Sequence, residues 1–133
     1  VVNVSSLFGL IGIPGQSAYC ATKFAVRGFT EALAFELRKS SVKVASVHPG
    51  GIQTNIVKNA TQGWSEAERK KAIADFNKVA PTTAAEAAQI IVDGVAAGKR
   101  QIIVGKDAKF LSRIARLMPG SYEKILAKIF KWK

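Results

Sequence analysis

A parallel, doubly wound α/β sheet is the fold class this chain predicts, present as the C-terminal half of one: three strands with crossover helices, then a helical tail. Three observations carry the prediction. Short apolar runs, VVNV, VKVASV and QIIVG, alternate with long helix-prone stretches, which is the rhythm of βαβ units. Such runs suit strands buried on both faces. Basic amphipathic segments fill residues 106–133 and have no place in a sheet.

The elements follow in order. A first strand is expected at residues 1–5, then a glycine-rich turn over residues 9–16 with Pro14, then a long helix over about residues 17–38. A second strand at residues 42–47 ends in HPGGIQT. Residues 55–81 are polar in their middle, with Ser65 ahead of the helix-prone SEAERKKAIADF. Thr83 to Glu86 reads T-x-x-E, a capping box opening a helix over residues 83–97, and Gly98 can close it in the left-handed conformation. The third strand is Gln101–Val104. The connections should be right-handed crossovers, and the first strand should leave one edge open.

Composition bounds the function. At 133 residues and 48% hydrophobic with one cysteine, the chain has the size of one domain. Cys20 has no disulfide partner, so nothing argues for an oxidising compartment, and it reads as a small buried hydrophobe. His48 is the only histidine, which excludes a metal site built on several. No run of eighteen apolar residues is present to span a bilayer, and the cytoplasm is the default location.

Charge is uneven. From Lys99 onward there are 10 basic and 2 acidic residues, +8 of the net +11. No nucleic-acid-reading motif accompanies it, so no nucleic-acid partner is expected. The basic residues are interleaved with apolar ones instead. Phe110, Ile114 and Leu117 mark one helical face, and after a break at Pro119 and Gly120, Tyr122, Leu126, Ile129 and Phe130 mark another. With Trp132 near the end, such helices suit the chain's own body, a dimer interface, a partner groove or peripheral contact with an anionic membrane.

The candidate chemistry lies in Ser6, Tyr19 and Lys23. Tyr19 and Lys23 are spaced i to i+4, on one face of the expected helix. A free tyrosine titrates near pH 10, and a fixed ammonium beside it favours the phenolate, which makes an acid/base of it. Ser6 ends the first strand and can hold a carbonyl or alcohol oxygen at the same place; Ser5 is an equal candidate on local grounds.

NVSS, then YCATK with Phe29, Leu33 and Leu37 at spacings of four, then PGGIQT together resemble the classical short-chain dehydrogenase/reductase family, over about residues 1–105. The resemblance implies a Rossmann-like dinucleotide-binding domain and an NAD(P)-dependent oxidoreductase interconverting a secondary alcohol and a carbonyl. It makes Tyr19 the acid/base, Ser6 the substrate-orienting hydroxyl, and Lys23 the residue that assists Tyr19 and binds the nicotinamide ribose. Pro49, Gly50, Ile52 and Thr54 would line the nicotinamide end of NAD or NADP. Residues 55–81 would form a substrate lid with Trp64, Ile73 and Phe76 as pocket candidates, and His48 would be a structural neighbour of the cofactor loop.

The family's phosphate-binding turn, which places a pyrophosphate on a helix N-terminus, has no match here. GLIGIPG fails on spacing, and its Pro14 removes a donor amide. The asparagine that the family uses in proton relay also has no counterpart, so the chain reads as the C-terminal half of a longer enzyme, and the resemblance implies a homo-oligomer when complete, acting on a small-molecule alcohol or carbonyl substrate. A non-catalytic fragment, or a membrane-peripheral module acting through the basic tail, are the alternatives.

Overall fold

The computed structural model describes residues 1–130, the side chain of residue 60 excepted. Trp132 lies outside the described residues. Chain order is β1 (Val2–Val4), a 3-10 turn at Leu7–Gly9, α1 (Ser17–Glu36), β2 (Ala45–Pro49), β3 (Ile52–Gln53), α2 (Ile56–Ala60), α3 (Glu66–Val79), β4 (Thr82–Thr83), α4 (Ala84–Ala96), β5 (Gln101–Val104), α5 (Lys106–Leu117) and α6 (Tyr122–Phe130). The main sheet is parallel, as expected, and its strand order is β1-β2-β5.

Strand alternation gives the sheet two unlike faces. Ala45, Val47, Ile102 and Val104 pack with Ala87 of α4 and with Ile52, Ile90 and Ile91. The opposite face is more polar. There Asn3 donates to Thr30 Oγ1 of α1 at 3.0 Å, His48 and Ser46 bond each other, and Ile103 packs on a cluster of Leu7, Ile11, Ala108, Leu111 and Leu126. Buried polar groups of this kind are tolerated because they are paired.

With α1 and α4 on opposite faces and the strand order moving in one direction, the two crossovers have opposite hands, which corrects the expectation of two right-handed ones. The right-handed rule applies to a strand feeding a helix that packs straight back. The connection from β2 to β5 is far longer and carries α2, α3 and a second, two-stranded parallel sheet of β3 and β4.

The second strand lies three residues later than expected. Residues 42–44 stay outside the ladder, and β2 runs on through His48 and Pro49. Ala45 N–H bonds to Val1 O on the β1 side and Ser46 N–H to Arg100 O on the β5 side. By that alternation the amide that Pro49 lacks would face past the end of β1, so the proline costs no ladder bond.

Helix ends follow their local chemistry. Ser65 and Thr83 both form complete capping boxes, with Glu68 and Glu86, and Gly98 adopts φ +67° after α4. The tail is helical on both sides of Pro119 and Gly120, but α5 buries Ala108, Leu111 and Ser112. Phe110 and Leu117, on the face marked out by the apolar pattern, are 57% and 80% exposed. Two stripes on α5 share the same spacing, and the one with smaller residues can approach the sheet. Among the described residues no helix is long and apolar enough to cross a membrane.

Candidate functional site

Ser6, Tyr19 and residues 49–54 all lie at the carboxyl edge of the parallel strands, where open α/β sheets place their ligands. Ser6 follows β1, the first turn of α1 carries Tyr19, and the loop follows β2.

The two serines separate cleanly. Ser5 is buried, and its hydroxyl donates to the Lys23 carbonyl at 2.7 Å, which ties the end of β1 to α1. Ser6 caps the 3-10 turn, its Oγ accepting from Phe8 N–H at 3.1 Å. The turn presses close on α1: a Cβ on Gly9 would stand 2.7 Å from the Lys23 carbonyl oxygen, so only glycine fits. Phe8 then meets the Tyr19 ring edge to face, centroids 6.2 Å apart at 86°.

Lys23 Nζ lies 5.6 Å from the Tyr19 ring centroid and donates to Val4 O at 3.4 Å. Tyr19 itself is 40% exposed. A lysine anchored to the strand thus holds its charge beside an accessible phenol, with Ser6 fixed across the Phe8 contact. The i to i+4 spacing places Tyr19 and Lys23 side by side, as the helix reading anticipates.

His48 has a larger part than its sequence position suggests. It is fully buried, with Nδ1 3.0 Å from Ser6 O and Nε2 3.0 Å from Ser46 Oγ. A carbonyl can only accept, so Nδ1 carries the proton to Ser6 and the neutral ring accepts from Ser46. Burial holds the imidazole below the usual histidine range; the Ser6 carbonyl opposes this, Arg27 adds to it and Glu31 opposes it.

The loop of Pro49, Gly50, Ile52 and Thr54 is held at several points. Gly50 N–H donates to Val104 O at 2.9 Å, Thr82 N–H to Gly51 O at 3.3 Å, and Gln53 Nε2 to Ala80 O at 3.0 Å. Gly51 N–H donates to Asp107 Oδ2 at 2.8 Å. Asp107 is 56 residues from its partner, and no local pattern marks it; only the pairing of Pro49 with Val104 brings the start of α5 beside the loop. Thr54 is exposed, its Oγ1 3.4 Å from Ile56 N.

Trp64 is 57% exposed, while Ile73 and Phe76 are half-buried on α3. A cavity of about 540 Å³ between Gly12, Pro14 and α6 is lined by none of these three, nor is a groove of about 1090 Å³ between α1 and α5. Tyr19 lines neither of them.

The short chain dehydrogenase family matches residues 1–64. A Mycobacterium tuberculosis protein named as the oxidoreductase SadH is 47% identical over 99% of this chain and 50% of its own length. The chain thus spans about half the length of that relative. Two solved structures have TM-scores of 0.67 and 22% identity: a Burkholderia phymatum short chain dehydrogenase/reductase in complex with NAD, over 88% of this chain and 46% of that one, and a Burkholderia cenocepacia short chain dehydrogenase in complex with NADP, over 96% and 47%. Sequence motifs, sheet order and these matches agree, and the chain belongs to the short-chain dehydrogenase/reductase family.

Proposed function

We propose that this chain supplies the proton-transfer end of an NAD(P)-dependent oxidoreductase that interconverts a secondary alcohol and a carbonyl. The observation that carries the reading is the Lys23 ammonium held 5.6 Å from the ring of an accessible Tyr19, whose ring also packs on Phe8, the residue that holds the Ser6 hydroxyl through its N–H. Like-folded proteins whose structures contain NAD and NADP support the cofactor class.

The residues present fit the nicotinamide end of such a cofactor. Lys23 has spare donor hydrogens beyond its bond to Val4 O, and Gly50 and Gly51 let the loop pack closely on Asp107 and on Val79 and Ala80, which holds its backbone at the carboxyl edge. When bound, the nicotinamide supplies or takes the hydride at its C4. In reduction, Tyr19 Oη gives a proton to the carbonyl oxygen, and Ser6 Oγ donates a hydrogen bond to that oxygen as its negative charge grows. Lys23 stabilises the phenolate left behind and holds the ribose hydroxyls. Residues 55–81 cover the substrate as a lid on this reading, and the exposed Phe29 of α1, 64% accessible, supports assembly of the complete enzyme as a homo-oligomer.

The test is turnover by the complete protein with NADH and NADPH against a panel of ketones and aldehydes, with Lys23→Ala beside the parent. Lys23→Ala should lower kcat by about a hundredfold, in the range for impaired acid/base catalysis, and raise cofactor KM. Turnover indifferent to Lys23 would overturn the reading.

A further inference from the structure

We infer that Asp107, in the tail helix α5, is the positioning residue for the cofactor loop. Its carboxylate is wedged between two glycines. A Cβ on Gly50 would strike it, and so would one on Gly105. Gly105 also has φ +101°, so glycine is required there both for room and for conformation. Oδ2 accepts from Gly51 N–H at 2.8 Å, while Oδ1 is buried with no hydrogen-bond partner among the described residues.

An aspartate in the first turn of a helix ordinarily turns toward its own helix's free amides. Asp107 turns away, across to the loop after β2, and accepts the desolvation of an unpaired oxygen to do so. The other restraints on this loop are backbone ladder bonds and the Gln53 contact; Asp107 is the one from α5. The tail therefore sets where Gly50 and Gly51 lie, and with them Ile52 and Thr54. The catalytic part of this inference rests on the oxidoreductase reading above; the structural part does not.

Two measurements test it. In the 133-residue chain, hydrogen exchange at the Gly51 amide should lose its protection in Asp107→Ala and keep it in Asp107→Asn, whose carbonyl oxygen can still accept. In the complete enzyme, Asp107→Ala should raise cofactor KM by about tenfold, the equivalent of one lost charge-assisted hydrogen bond, with a smaller change in kcat. Asp107→Asn should restore the parent's value. If Asp107→Ala fails to fold, Asp107→Glu gives the same test, because it keeps the charge and overfills the glycine cradle, and cofactor KM should again rise. Unchanged Gly51 protection in Asp107→Ala, or unchanged cofactor KM in folded variants of an enzyme that does depend on Lys23, would overturn the inference. Turnover that ignores Lys23 would instead overturn the oxidoreductase reading, leaving the exchange result to decide the structural part.

Discussion

Leu126→Ala tests whether the basic tail is part of the folded body. Leu126 is 1% exposed and packs with Leu7, Ile11, Ala108 and Leu111, so truncation removes buried methyl groups and leaves a hole that helices on two sides must close. Buried leucine-to-alanine changes cost about 2–5 kcal/mol, and near-complete burial between a turn and a second helix argues for the middle, about 3 kcal/mol. With an unfolding entropy of about 2.1 cal/mol/K per residue, that lowers Tm by roughly 11 °C for a chain of this length. Phe110→Ala is the control. Phe110 is 57% exposed on the outer face of α5, and its removal should stay within about 0.5 kcal/mol. Thermal melts by circular dichroism read both. Equal Tm values for Leu126→Ala and parent, or a Phe110→Ala loss as large as that of Leu126→Ala, would refute the docking of α6 and restore the other covers for the tail.

Three other outcomes are expected. Because the folded-state pKa of His48 is lowered from 6.5, the unfolded chain binds more protons just below that value; the stability from the neutral imidazole is complete above pH 6.5 and is lost as pH falls toward the folded value. Melts between pH 7.5 and 5.5 should show the decline and His48→Asn should flatten it; parallel curves would contradict the buried neutral ring. Thr83→Ala removes the cap of α4, whose hydroxyl accepts from Glu86 N–H at 3.2 Å, and should cost about 1 kcal/mol by denaturant titration, with no change signifying that the box is ornamental. The 133-residue chain should bind NADH and NADPH more weakly than about 10 μM, roughly −7 kcal/mol, since on the proposed reading its residues offer the nicotinamide end alone; tighter stoichiometric binding by calorimetry would contradict that part of the reading.

What was legible from residues was whatever local chemistry decides. Ser65, Thr83 and Gly98 announced helix ends because caps are satisfied within a few residues. Tyr19 and Lys23 announced a shared face because helix spacing fixes it. The bounds of the second strand were less legible, because which of residues 42–49 join the ladder depends on register with Val1 and Arg100. Phe110 and Leu117 misled for a related reason: periodicity shows that a face exists but does not say which of two stripes meets the sheet. The second sheet of β3 and β4 is two residues per strand, too short for any pattern. His48 behind Ser6 and Asp107 behind Gly51 depend on register across 42 and 56 residues, which only the assembled sheet supplies.

The central claim is that Tyr19 transfers the proton. Its most direct test is kcat of Tyr19→Phe in the complete enzyme across the pH range, with folding confirmed by an unchanged melt. Phenylalanine keeps the ring that meets Phe8 and Lys23 and removes only the hydroxyl, so the account predicts a loss of at least about a hundredfold, in the usual range for a positioned acid/base. Near-normal turnover by a folded Tyr19→Phe enzyme would contradict it.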